Sequence, residues 1–162
     1  MPVPADEFSD LLRRSDHDRY LSTLYAPAAK RPALTALYAF NAEIAAVRDR
    51  VREPMAGEIR LQWWRDAISD LSGQSAAGHP LAAALVGVIV EHRLPTAAFD
   101  RMLEARVFDL YDDPMPSRTD LEGYLGETSS RLIQMAMMIL DAQAAPRAAA
   151  VAGLAGVAHG LA

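Results

Sequence analysis

The chain has 162 residues, 51% of them hydrophobic, which suffices for one buried core and is short for two. Its 16 basic and 21 acidic residues give a net charge of −5, with no basic block able to follow a phosphate backbone, so a nucleic-acid partner is not expected. The absence of cysteine excludes a disulfide framework and any thiolate metal site. The opening Met1-Pro2-Val3-Pro4-Ala5-Asp6-Glu7 lacks the positive region and apolar core of a secretory signal, and a cytoplasmic protein is expected.

Apolar residues recur at spacings of three and four almost throughout, and no run alternates as a strand would, so the predicted fold class is all-α. A first helix is predicted over 5–14. A second starts at Ser15 or Asp16 and runs to about Leu24, where Pro27 and Pro32 bracket a break. Pro32 opens a third helix, with Leu34, Leu37, Phe40, Ile44 and Val47 along one stripe, ending near Val51 before Pro54. The next helix covers 58–71 and is closed by Gly73, after which Gly78-His79-Pro80 is a turn launching a helix over 81–91.

Leu94-Pro95-Thr96 then opens a helix to about Asp109, followed by a loop over 112–117. Thr119-x-x-Glu122 has the spacing of a capping box for a short helix through Tyr124. A Met-rich helix is predicted over 129–141, with Thr128, Ser129 and Ser130 as its capping hydroxyls and an adaptable apolar cavity around Met135, Met137 and Met138. Pro146 starts the last helix, still running at Ala162. The stretches 80–90 and 144–162 are too short, or too rich in Ala and Gly, to span a bilayer, and both are expected to be buried in a bundle. An apolar helix that ends without a stop signal leads us to expect one all-α domain over 1–162, truncated at its C-terminal side.

Chemical motifs are sparse. His17, His79, His92 and His159 lack zinc-ligand spacing, no glycine-rich phosphate loop is present, and no Ser or Thr has a His at suggestive spacing. Asp66 and Asp70, and likewise Asp109 and Asp113, stand four apart, a spacing commoner on solvated faces than at metals. Asp49, flanked by Arg48, Arg50 and Arg52, is expected to be half of a solvated ion pair. Glu43 reads equally as an inward acid paired with an arginine or as a functional carboxylate.

The segment Ala36-Leu37-Tyr38-Ala39-Phe40-Asn41-Ala42-Glu43-Ile44-Ala45-Ala46-Val47-Arg48-Asp49 resembles the metal-binding helix of the squalene/phytoene synthases. Trp63-Trp64-Arg65, His79-Pro80-Leu81, Leu94-Pro95, Asp109-Leu110 and Asp120-Leu121-x-x-Tyr124 match further landmarks of that family in the same order. The resemblance implies an isoprenoid-synthase-type helical bundle, of which the chain would be the N-terminal part, with the second aspartate motif lying beyond it. It also implies a degraded site. The family's first metal-binding aspartate falls on Ala45, the neighbouring acid on Ala46, the diphosphate-facing arginine on Ala42 and a serine on Asp18, so Asp49 alone is left as a weak metal ligand.

The motif Phe40-Asn41-x-Glu43-Ile44-Ala45-x-Val47-Arg48-Asp49, followed by Arg60-Leu61-Gln62-Trp63-Trp64, resembles a branch of the family with the same degraded motif, the assembly factors of respiratory complex I. It implies a non-catalytic scaffold, or a binder of an isoprenoid or other lipid, whose partner is a respiratory-complex subunit. Such a protein would sit in the cytoplasm, at the inner face of the membrane as a peripheral protein. The cleft residues it implies are Tyr38, Asn41, Glu43, Asp49, Arg60, Trp64 and Tyr124. The alternative is a Mg²⁺-dependent prenyltransferase joining two prenyl diphosphates, for which one carboxylate is too few ligands.

Overall fold

A computed structural model describes residues 5–162, and every regular element among them is helical. Helix α1 (Ala5–Ser15) is followed by α2 (His17–Tyr25), whose N-cap Asp16 accepts a hydrogen bond from the Arg19 amide at 3.2 Å. One 3₁₀ turn leads into α3 (Arg31–Ala45), opened by Pro32 as predicted. The predicted single apolar stripe understates α3. Leu34 through Ala42 and Ile44 are buried on all sides, between α1 and α2 and three helices that follow, 80–92, 96–107 and 131–140, so α3 is the axis of the bundle. Phe40 packs edge-on against Trp64 at 5.1 Å and Phe99 at 5.6 Å, and all three rings are buried.

The third helix does not run unbroken to Val51. Ala46, at ψ −2°, shares its amide between the carbonyls of Ala42 and Ile44, and a separate turn α4 (Val47–Arg50) follows. This re-aims the chain so that Val47 stays buried while Arg50 turns back toward Glu43. Helix α5 (Pro54–Ser69) begins four residues before the predicted Glu58, because Pro54 serves as a helix start as well as a stop. Helices α6 (Pro80–His92) and α7 (Thr96–Val107) follow their predicted limits closely, with α7 ending in a 3₁₀ turn, Phe108–Leu110.

Helix α8 (Arg118–Leu125) is capped by Ser117 and not by Thr119. Ser117 Oγ accepts from the Asp120 amide at 3.2 Å and donates to Asp120 Oδ2 at 2.5 Å, so the reciprocal cap sits earlier and Thr119 lies inside the helix. The hydroxyls of Thr128 and Ser130 do not cap a new helix either. Gly126–Ser130 is a π-helical turn joining α8 directly to α9 (Arg131–Leu140), with Thr128 Oγ1 donating to the Tyr124 carbonyl at 2.8 Å. Met135 is in the core while Met137 and Met138 are half-buried, and the cavities described below lie elsewhere.

Helix α10 (Ala145–Leu161) crosses α9 and the π turn at backbone contact. A Cβ on Gly156 would stand 2.3 Å from Ser130 Cα, and Ser130 Oγ donates to the Gly153 carbonyl at 2.7 Å. The expectation that α10 is buried fails. Only Ala145, Ala152 and Gly156 are buried, while Val151, Leu154 and Leu161 are 69%, 74% and 61% exposed. No helix among the described residues is long and apolar enough to cross a membrane.

Candidate functional site

Three of the sequence-predicted residues converge where α3, α5 and the start of α6 meet. Glu43, near the C-terminal end of α3, accepts from Arg50 Nη1 at 2.7 Å and stands 3.9 Å from Arg60 Nη2. It is therefore an inward acid paired with arginine, the first of the two readings left open by the sequence. The hydrogen bond to Glu43 raises the pKa of Arg50 and keeps that guanidinium charged. Beside it, Arg60 and Trp64 line a groove of about 470 Å³ together with Val51, Ile59, Trp63 and His79.

His79 holds this groove in shape. Its Nδ1 accepts from the Ala82 amide at 3.2 Å, capping α6, and its ring packs on Trp63 and Trp64 at 4.9 and 5.1 Å. A second hollow of about 280 Å³ shares His79 and continues past Glu43 to Leu11 and Arg14 of α1. Trp64 itself is only 1% exposed, so it is a core side chain that closes the groove floor.

Tyr38 and Asn41 lie further along α3 and are buried. Burial is the main cause raising the Tyr38 pKa, opposed by the Ser22 hydroxyl and by Arg19, whose guanidinium carbon lies 6.0 Å from the ring centroid. Asp49 is exposed on α4 and, among the described residues, forms no ion pair, and its two nearest arginines reach elsewhere. Arg50 goes to Glu43, and Arg48 pairs with Asp112 across the bundle.

Tyr124 belongs to a different cluster. Its hydroxyl donates to Asp109 at 2.7 Å and receives Arg106 Nη1 at 2.8 Å, while Arg106 and Asp109 pair directly at 3.0 Å. Burial and the Asp109 carboxylate push the Tyr124 pKa above its ordinary value against the pull of Arg106. Arg106 Nε is buried without a hydrogen-bond partner. Tyr124 also lines a hollow of about 350 Å³ with Phe108, Met115 and Glu127. Asp109 is thus no surface charge, as its spacing to Asp113 suggested. The signal that would have found this cluster is the opposite-charge pair Arg106 and Asp109 three residues apart, preceding a tyrosine on the next helix.

The carboxylates of the described residues lie apart from one another. Ala45 and Ala46 leave Asp49 without an acidic neighbour on its helix face, and no three His, Asp or Glu side chains among the described residues are placed to share an ion. Asp70, four residues after Asp66, caps the end of α5 and accepts from Ser72 and Ser75, which holds its carboxyl well below the usual range. The donor set does not fit Mg²⁺ on the α3 face.

The family model described as squalene/phytoene synthase matches residues 12–162. Among curated proteins, the rat NADH dehydrogenase (ubiquinone) complex I, assembly factor 6 is 34% identical over 131 residues, covering 81% of this chain and 39% of the relative. The human protein of that name is 32% identical over the same span, and a Drosophila melanogaster homolog of it is 27% identical over 139 residues. The chain spans about two fifths of the length of these relatives.

Proposed function

We propose, from the premise that the chain belongs to the squalene/phytoene synthase family, that it serves as a non-catalytic scaffold in the assembly of a respiratory NADH dehydrogenase. The observation that carries this reading lies at the end of α3 and in α4, where the family's metal-binding motif reads Ala45-Ala46 with a lone exposed Asp49. Ionising a prenyl diphosphate requires several acidic oxygens around Mg²⁺, and this face supplies one. The names carried by the rat and human relatives support the assembly role.

In this reading the protein works in the cytoplasm at the inner face of the membrane, and its partner is a subunit of the respiratory complex. The groove at Trp63, Arg60 and Glu43 is its contact region, because it combines exposed apolar surface with fixed charges that set orientation. An isoprenoid or other lipid held in the bundle is compatible with the same role.

Calorimetry with farnesyl diphosphate, with and without Mg²⁺, tests the non-catalytic half of the proposal. The expected result is no metal-dependent binding, with Asp49→Ala indistinguishable from the parent chain. Tight binding that requires Mg²⁺ and disappears in Asp49→Ala would overturn it in favour of a prenyltransferase.

A further inference from the structure

A separate cavity of about 250 Å³ lies between α1, the start of α3 and α6, walled by Phe8, Ala33, Ala36, Ala84 and Val88. Counted at about 100° per residue along α3, Pro32, Ala33 and Ala36 fall on the side away from Tyr38, Ala42 and Ala45, whereas Thr35 stands at the edge nearest Tyr38 and Ala42. The cavity opens at the N-terminal end of α3, about two turns before Ala42, and neither Tyr38, Ala42 nor Ala45 lines it. It exists because the α3 and α6 walls are largely alanine, where larger side chains would have closed it.

Two polar side chains open into this apolar space. Thr35 is 8% exposed and, among the described residues, makes no side-chain hydrogen bond, whereas Thr23 and Thr128 both donate to carbonyls of their own helices. The His92 side chain is 10% exposed, and its nearest charged partner is Glu91, with Oε1 at 3.8 Å from Nε2, beyond hydrogen-bond reach. His79 contrasts with it, since that ring is committed to capping α6. Neither is sealed in, since Arg106 Nε is the fully buried side-chain atom without a partner among the described residues, so the Thr35 hydroxyl and the His92 ring are both free to meet water or a ligand that enters the cavity.

We propose that this cavity binds a small apolar molecule carrying one neutral hydroxyl, of the chemical class of an alkylphenol. Among the described residues no guanidinium or ammonium lines the cavity to hold a carboxylate or phosphate, and Glu91, 75% exposed at its rim, opposes an anion further. An ammonium would meet only that solvated carboxylate and would have to shed its water. A neutral hydroxyl both donates and accepts, matching the Thr35 hydroxyl and the imidazole, each of which also does both. An apolar cavity of about 150 Å³ takes up benzene in another protein, so the volume here accommodates a substituted ring.

The test is a titration of the 162-residue chain with p-cresol, toluene, benzoate and benzylamine, followed by NMR. We expect p-cresol to bind saturably about three- to tenfold more tightly than toluene, in line with one net hydrogen bond, with both shifting the Thr35 methyl and the His92 ring. Benzoate and benzylamine are expected to bind more weakly than p-cresol. Thr35→Val, which keeps the shape, lowers p-cresol affinity to that of toluene and leaves toluene unchanged, and Ala84→Leu, which fills the space, weakens both. Equal binding of p-cresol and toluene by the parent chain would overturn the proposal without reference to any variant. So would shifts centred away from Thr35 and His92, or benzylamine as the tightest ligand.

Discussion

At the scale of single residues, Tyr124 is the best place to measure how a buried polar cluster contributes. Its hydroxyl bridges Arg106 and Asp109, so Tyr124→Phe removes two hydrogen bonds and leaves the 3.0 Å ion pair standing. The expected loss is about 1–2 kcal/mol of unfolding free energy, read by urea denaturation. Asp109→Ala is expected to cost more, because it strands a half-buried guanidinium whose Nε is already unpartnered. Since the folded state raises the Tyr124 pKa, the unfolded chain gives up that proton first as the solution becomes alkaline. The stabilisation is thus complete below the ordinary tyrosine range near pH 10 and is lost above it. The stability difference between the parent and Tyr124→Phe is expected to shrink from pH 9 to pH 11, and a difference that grew would contradict the assignment.

Glu43 lies at the other extreme. Its two arginines are about half-exposed, with side-chain exposures of 44% and 47%, so Glu43→Gln is expected to change stability by less than about 1 kcal/mol. A larger loss in thermal unfolding would mean that the groove is held together by this carboxylate and not by the packing of His79 on the two tryptophans.

Among the elements, the junction of the π turn with α10 is the least tolerant. Gly156 admits Ser130 backbone where a Cβ would lie 2.3 Å away, and backbone cannot rotate aside as a flexible side chain can. Gly156→Ala is expected to destabilise by about 1–3 kcal/mol despite its better helix propensity, measured by chemical denaturation. Gly123→Ala, on α8 with open space at its Cβ, is the control and is expected to be neutral or slightly stabilising. This junction was not legible in the sequence, because a π turn carries no distinctive residue pattern and Thr-Ser-Ser after a short helix looks like a cap.

The helices themselves were legible at Asp16, Pro32 and Pro80, where a cap or a proline acts through local backbone geometry, but not at Pro54, which reads equally as the stop of one helix and the start of the next. The break at Ala46 was not, since alanine favours helix and only the need to bury Val47 and bring Arg50 to Glu43 distinguishes that step. The candidate site was half legible. Glu43, Arg60 and Trp64 do meet, through the helix order of the family, whereas Tyr124 on α8 shares its cluster with Arg106 and Asp109, at the end of α7 and in the 3₁₀ turn that follows it.

For the molecule as a whole, α10 leaves Val151, Leu154 and Leu161 facing outward on one helix. A seam of this kind is expected to make the 162-residue chain self-associate, with Leu154→Glu returning it to monomer. Light scattering decides this, and a monodisperse monomer for the parent chain would contradict it.

The central claim, an assembly role that needs no prenyl-diphosphate chemistry, is tested most directly in the organism that encodes the chain. Deleting the gene and restoring it either unchanged or with Asp49→Ala allows the assembled NADH dehydrogenase to be quantified on native gels in each strain. Loss of assembled complex on deletion and equal recovery with both genes are expected. Normal assembly in the deletion strain, or recovery with the unchanged gene alone, would contradict it.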